Sequence, residues 1–531
     1  MPASLTKKVG IASLIMMASI LLSRVIGLLR EMAVAHLGGA SSAVDAYRIA
    51  FALPDLVNHF IASGFLSVTF IPIFSHYLVQ DNEKEGWRVF SMIFTTFGAL
   101  LLFFIMLAFF FTPQVMLLAA PGLQDQPPEQ LARVVRLTRI ILPGQFFIFA
   151  GSMLMAVQFA KEQFKWPALA PLIYNAGIIL GGIALHRWIG MEGFAWGVLA
   201  GAFLGNFLIQ YFGAKRVGLQ FHPVFDFRHP DFKKYVGLTL PLMVGLTAAF
   251  STDFFSKFFG SYLPEGSIAA LDYALRTMFV LVGVFGQASG VASFPYLSRL
   301  VAENKFREMN QLLNQTLRRY IALVIPFAVL MIVLRYEVIR LLFQRGKFDE
   351  AATARTSEVL LYLLLGAFAF AGQPVVMRGF YAMQNTLFPT IFGSIAVLVS
   401  LPFYWFSMQQ MGINGVALSM AISAVLQATL LYALWNRRTA NVESRAVYRF
   451  FGKIILLSLA LGLLVHAFKI NFLQRLDPTT FRGSLLLCSI IGVIFLLAFF
   501  AVGYVFRIRE IVAAINRLIE KLGLRRLNKA Q

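Results

Sequence analysis

Six cationic residues lie inside long apolar stretches of the sequence, away from its basic clusters: Arg24, Arg30, Arg48, Lys257, Arg276 and Arg378. The carboxylates in the same stretches are Glu31, Asp45, Asp55, Asp253 and Asp272. A charge at the centre of a bilayer costs at least ~2.5 kcal/mol on insertion scales, so it persists only where it is paired or lines a wet cavity. Guanidinium forks match phosphate oxygens two at a time. Several arginines facing one cavity therefore point to an anionic, phosphate-bearing cargo. Asp45, Arg48, Ala52, Asp55 and His59 follow i, i+3, i+7, i+10, i+14, a single stripe on one helix that Pro54 interrupts. Arg24, Gly27 and Glu31 share a face while Arg30 points elsewhere unless Gly27 loosens the helix, and Arg276 shares a face with Gln287. A second reading stays open beside the first, in which these charges are ion pairs that hold helices together. Asp253 with Lys257 and Asp272 with Arg276 have the i, i+4 spacing for it, and Asp45 with Arg48 is close enough to pair. Arg378 near a helix end has the stem to snorkel.

Enzymatic chemistry is not expected. A membrane enzyme acting on lipid-linked sugars needs paired carboxylates or a His/Asp set, whereas Glu31, Asp45 and Asp55 lie among cations and the seven histidines are scattered. The lone Cys488 excludes an internal disulfide and a thiolate metal site. No metal and no cofactor are expected beyond a coupling monovalent cation or the membrane potential.

The elements that must position these charges are membrane helices. The chain is 59% hydrophobic and 13% charged, with mean hydropathy +0.74, against about half and a quarter in soluble domains. Apolar runs long enough for a ~30 Å hydrocarbon core recur throughout and must be helical, because lipid offers the backbone no partners. The spans are expected near 11–37, 46–77, 88–118, 132–160, 167–187, 192–214, 232–261, 268–299, 315–344, 352–383, 388–409, 412–437, 449–469 and 483–507, about fourteen in all. Lys7 and Lys8 precede the first, which reads as a retained span and not a cleaved signal. The net charge of +21 would suggest nucleic acid in a soluble chain. Here it marks loops. The basic clusters Lys215–Arg216–Arg228–Lys233–Lys234, Arg299–Lys305–Arg307–Arg318–Arg319 and Arg437–Arg438–Arg445–Arg449–Lys453 fall on one side, which argues for both termini in the cytoplasm. Arg335, Arg340, Arg345 and Lys347 are the exception. After the last span, 508–531 reads as a basic amphipathic helix for anionic membrane lipids, with a soluble partner helix as the other reading.

An internal repeat organises the spans. Pro167 and Pro389, Gly190 and Gly412, Gly193 and Gly415, and Ala195 and Ala417 are each 222 residues apart, and Pro72 with Pro295 echoes them at 223. The unit spans about six helices, an even number, so both copies insert in the same sense. The reading is an all-α polytopic membrane protein. It has an N-terminal lobe (1–216), a C-terminal lobe (217–440), two additional helices (441–507) and the tail, with the two lobes around a central cavity.

The ordered set Ser23-Arg-Val-Ile-Gly-Leu-Leu-Arg-Glu31, Asp45-Ala-Tyr, Phe51-Ala-Leu-Pro54, Gly64-Phe, Phe70-Ile-Pro72, Leu271-Asp-Tyr-Ala-Leu-Arg276, Leu342-Phe-Gln-Arg-Gly-Lys-Phe348 and Phe380-Tyr-Ala-Met-Gln-Asn385 resembles the MurJ (MviN) family. The resemblance runs through essentially the whole chain. It implies a lipid II flippase of the multidrug/oligosaccharidyl-lipid/polysaccharide exporter superfamily. Such a protein moves undecaprenyl-diphosphate-linked peptidoglycan precursor across the bacterial cytoplasmic membrane by alternating access, and the chain is expected to act as a monomer. Carried over, the diphosphate-binding cavity residues are Arg24, Arg30, Asp45 and Arg276, with Arg48, Asn58, Glu31, Asp55 and Gln287 as auxiliaries. The last two spans would form a groove for the polyprenyl tail, and Asp253 is the candidate for an ion site. An arginine common in the family late in span 2 aligns with Asn58, about 100° off the polar stripe. Arg48 is the residue expected to supply that charge. The alternative is a superfamily exporter of another lipid-linked oligosaccharide, or of drugs or cations by antiport, for which acidic cavities would be expected.

Overall fold

In hydrocarbon every backbone amide must find its partner within its own segment, and among the described residues every regular element is a helix. The computed structural model describes residues 3–58, 65–245, 247–385, 387–474, 476–508, 510–512 and 516, with the side chains of all these but 3–13, 65–68, 240–252, 284–293 and 295. His59, the side chain of Gln287 and nearly all of the tail beyond 512 lie outside the described residues.

Packing divides the chain into two units: 1–269 with 345–349, and 270–344 with 350–531. The first holds α1 (Ala3–Gly38), α2 (Ser42–Ile49), α3 (Ala52–Val57), α4 (Phe65–Val79), α5 (Glu83–Phe110), α6 (Thr112–Ala119), α7 (Pro128–Ile141), α8 (Gly144–Ala160), α9 (Lys165–Ile189), α10 (Glu192–Gly201), α11 (Ile209–Arg216), α12 (Pro230–Gly245), α13 (Thr247–Gly260) and the first turn of α14 (Ser267–Ala302). A π-helical segment, Ala202–Leu208, joins α10 to α11. The second unit holds the rest of α14, then α15 (Phe306–Val333), α16 (Arg335–Phe343), α17 (Glu350–Leu364), α18 (Ala367–Ala382), α19 (Leu387–Met411), α20 (Ile413–Arg438), α21 (Ser444–Phe472) and α22 (Phe481–Val505).

Among the described residues, nine helices are long and apolar enough to cross a membrane. A tenth appears if α17 and α18, bent by 44° at their junction, count as one. The expected segments 11–37, 46–77, 232–261 and 268–299 each include residues or side chains outside the description. The second of these is not one helix. Proline cannot donate to the carbonyl four residues back and clashes with it. For Pro54 that carbonyl belongs to Ala50, and the chain breaks there, between α2 and α3. The polar stripe drawn on a continuous helix is therefore split, with Asp45 and Arg48 on α2 and Asp55 on α3.

The repeat is written in the backbone. α9 and α19 each run 25 residues and start 222 apart. Each ends on a glycine with matching dihedrals, Gly190 (φ 59°, ψ −133°) and Gly412 (φ 58°, ψ −132°). Left-handed residues close helices by satisfying their last carbonyls, and these too recur in register: Asp81 with Asn304, and Glu162 with Gln384. α5 and α15 each have 28 residues and follow the first of these pairs. The packing units follow contacts and not the repeat. α12, beyond the first copy, packs in the first unit through Thr69–Thr239 at 3.0 Å, Tyr77 donating to Asp231, and Tyr235 edge-on to Phe97.

α21 and α22, outside the repeat, are fixed to the second unit by an apolar core. Ile325, Val333, Ile454, Leu461, Ile491, Phe495 and Phe499 meet there. Lys469 adds an ion pair to the buried Glu337 at 2.6 Å. Ile508 and Ile511, read from the sequence as lipid-facing tail positions, are buried in this same core, and Glu510 pairs with Arg318 at 3.0 Å. The tail therefore starts docked on protein.

Candidate functional site

In the first unit the charges of α1 and α2 come together. Glu31 is 2% exposed and Arg48 is 5% exposed. Burying an isolated charge is prohibitive, so each needs a partner, and they form an ion pair, Arg48 Nη2 to Glu31 Oε2. Arg30 takes the other oxygen, with Nε at 3.0 Å and Nη2 at 2.6 Å from Oε1. Its Nη1 donates to Asn175 Oδ1 on α9 at 3.0 Å. Arg30 was expected to point away from Glu31. Its long side chain bends back, so adjacent residues meet although their Cβ atoms diverge. Two guanidiniums thus share one carboxylate within the helices, and the Arg30 side chain stays 19% exposed. Arg24, two turns earlier on α1, is exposed.

Asp45 does different work. Its Oδ2 accepts from the Gly266 amide at 2.6 Å and its Oδ1 from the Ala269 amide at 2.7 Å. These are free N–H groups at the start of α14, where the helix dipole favours a carboxylate. Asp45 is a buried helix cap. Close by, the segment Arg345–Asp349 docks on the end of α1. Lys347 N donates to His36 O at 2.9 Å, and Gly346 (φ +60°) leaves no room for a Cβ, which would fall 2.4 Å from that same oxygen.

Lys257 on α13 bridges two carboxylates, Asp253 at 2.6 Å and Asp55 at 3.8 Å. The i, i+4 pair is formed, so a cation taking Asp253 would first displace this ammonium. In the second unit, Arg276 Nε bonds Asp272 Oδ2 at 2.7 Å, again i, i+4, and the Arg276 side chain stays 37% exposed. Asn58, at the end of α3, is half-buried, as is Arg378 within α18. The buried Arg48, expected to stand in for a cargo-binding arginine at 58, is paired with Glu31.

A family model described as "Lipid II flippase MurJ" matches residues 34–483, most of the chain. The chain belongs to the MurJ family. A MurJ relative named "Lipid II flippase MurJ" from Burkholderia cenocepacia is 28% identical over 459 residues, covering 85% of this chain and 88% of its own. A "Probable lipid II flippase MurJ" from Bdellovibrio bacteriovorus is 25% identical and covers 95% and 96%. Among solved structures, a lipid II flippase MurJ in an inward closed conformation superposes with TM-score 0.75 at 24% identity, covering 92% of this chain and 99% of its own. An inward-facing MATE-family multidrug transporter of the MOP superfamily follows at TM-score 0.68 and 12% identity, covering 80% and 96%. At that identity the likeness is one of fold. The MurJ match therefore favours the flippase reading over drug or cation antiport.

Two members of the site escaped the sequence. Asn175 is the only amide side chain in the apolar run of α9, a signal that was there to read. The amides of Gly266 and Ala269 carry none, because backbone donors are common to nearly every residue type.

Proposed function

We propose that this chain moves lipid II, the polyprenyl-diphosphate-linked peptidoglycan precursor, across the bacterial cytoplasmic membrane. The observation that carries the reading is the Arg30–Glu31–Arg48 cluster: two guanidiniums on one carboxylate inside membrane helices, in a chain of the MurJ family. A diphosphate oxygen competes with Glu31 for the partly exposed Arg30, and Asn175 keeps that guanidinium in place while the exchange occurs. Arg24 and Arg276, both with exposed side-chain surface, are the other proposed diphosphate ligands. Arg48 holds Glu31, and Asn58 offers an amide in place of a charge.

The repeat copies 1–216 and 217–440 are the proposed lobes of an alternating-access cycle. α21 and α22 would guide the polyprenyl tail. Asp45 would act as a latch, since freeing the start of α14 requires both of its bonds to break. Both termini would lie in the cytoplasm, with the chain working as a monomer and its basic tail on anionic lipid. If the cationic cluster moves within the membrane field, the potential contributes ~2.3 kcal/mol per charge per 100 mV, and Asp253 would take part only where a cation displaces Lys257.

Complementation of a flippase-depleted bacterium tests this. Wild type should restore lipid II at the outer leaflet. Arg24→Ala and Arg276→Ala should each lower the rate about tenfold or more, from ~1.5–3 kcal/mol per charged hydrogen bond, and Asn58→Arg should retain function. Unchanged lipid II exposure without any copy of the protein would refute the assignment.

A further inference from the structure

The first unit carries a second cationic feature, on its flank and apart from the cluster of α1 and α2. A cavity of about 510 Å³ opens between α5, α7–α8 and α10, lined by Phe109, Arg136, Arg139, Pro143, Trp196 and Leu199 among others. All three walls are helices that qualify as membrane spans. Trp196 is 46% exposed, and Phe110 and Phe111 beside the cavity are also exposed. On such helices exposed aromatic surface meets lipid, so the occupant must come from the bilayer.

Its chemistry follows from the two arginines. Arg136 is exposed and meets Glu192 at 3.2 Å. Arg139 has no carboxylate partner among the described residues. Its Nε donates to the Phe109 carbonyl at 3.1 Å, and its guanidinium lies 4.9 Å from the Phe109 ring. Phe109 is in the last turn of α5, whose 28 residues rise about 42 Å against a ~30 Å hydrocarbon core, so this helix end sits at the polar edge of the bilayer. A guanidinium held there, with neither Nη group engaged among the described residues, is placed at phosphodiester depth above an apolar slot. A merely snorkelling arginine would extend into water. This one is drawn back onto the α5 terminus and forms one wall of a groove.

We propose that this groove binds an anionic phospholipid, with its phosphodiester on Arg139 beside Arg136 and one acyl chain along Pro143, Trp196 and Leu199. The two guanidiniums against a single carboxylate select a lipid of net negative charge over a zwitterionic one. The site is independent of the cargo reading.

The test uses the full chain in phosphatidylcholine vesicles doped with brominated lipid. The Trp196 signal is isolated as the difference from Trp196→Phe. Brominated phosphatidylglycerol should quench Trp196 at about one fifth of the concentration needed for brominated phosphatidylcholine, as expected for ~1 kcal/mol from one arginine. Arg139→Gln should abolish the preference. Ala132→Phe, which fills the groove without removing a charge, should weaken quenching by both lipids and decides the question if Arg139→Gln does not fold. Equal quenching by the two lipids in the wild type, a preference that survives Arg139→Gln, or quenching left unchanged by Ala132→Phe overturns the proposal and leaves only annular lipid.

Discussion

Glu31 carries more of the site than its single charge suggests. It is buried and holds Arg30 on one oxygen and Arg48 on the other. Removing one partner of a buried ion pair costs ~3–5 kcal/mol, because the remaining charge stays desolvated. Glu31→Gln should therefore lower stability by about 3 kcal/mol. Adding Arg48→Met, which removes the stranded cation, should restore more than half of that loss. Thermal unfolding in detergent of the two single variants and the double measures the coupling. Additive losses would mean that the pair is not the unit that matters. The residue types of this cluster were legible in the sequence, since charges inside apolar runs announce themselves. Their partners were less so. The Arg30–Glu31 contact is missed by spacing because a helix fixes the direction of Cβ and not the reach of a guanidinium. Asp45 was read as a cavity residue, and its cap on α14 could not be foreseen because the donors are amides more than two hundred residues away.

At the scale of elements, one helix crossing is built in two ways. In the first unit α9 lies against α10 through glycines. A Cβ at Gly181 would fall 2.5 Å from the Gly197 Cα, and one at Gly197 would fall 2.7 Å from the Gly177 carbonyl. The equivalent crossing of α19 and α20 has serines at the matching positions. Ser419 stands where Gly197 does and bonds Ser407 at 2.6 Å, while Ser423 stands where Gly201 does and bonds Ser400 at 3.0 Å. Small residues and hydrogen-bonded serines are the two routes to helix association in lipid, where no hydrophobic gain drives it. They differ in tolerance. Ser419→Ala loses a bond of ~0.6 kcal/mol on average, whereas Gly197→Ala forces backbones apart at ~1–3 kcal/mol. Gly197→Ala should have the lower melting temperature of the two in the same detergent, and the reverse order would show that close backbone contact is not what holds α9 to α10. The repeat behind this comparison is legible from four matched pairs of residues and a fifth at nearly the same offset. The broken second span was half visible: Pro54 marked it, but the disruption falls four residues earlier, at Ala50.

For the whole molecule the open quantity is which way it faces. Basic loops stay on the cytoplasmic side because lysine and arginine resist translocation. By that rule the segment between α11 and α12, flanked by Lys215, Arg216, Arg228, Lys233 and Lys234, lies inside, and the turn between α21 and α22 lies outside. The four basic residues that oppose the rule, Arg335 to Lys347, have work of their own. Arg335 bonds the Ile332 carbonyl at 2.9 Å, Arg340 bonds Gln344 at 2.8 Å, and the Arg345–Asp349 segment is docked on α1. Charges engaged by protein after insertion are weak witnesses of topology, so the exception does not carry the vote. The chain has one cysteine, Cys488, and Cys488→Ser gives a clean background. Gln220 and Gln474 are exposed, one in each segment. In intact spheroplasts a membrane-impermeant maleimide should label Gln474→Cys at least about tenfold faster than Gln220→Cys. Permeabilising the membrane should bring the two rates together. Labelling of Gln220→Cys in sealed cells would invert the molecule and, with it, the face on which Asp45 holds the start of α14.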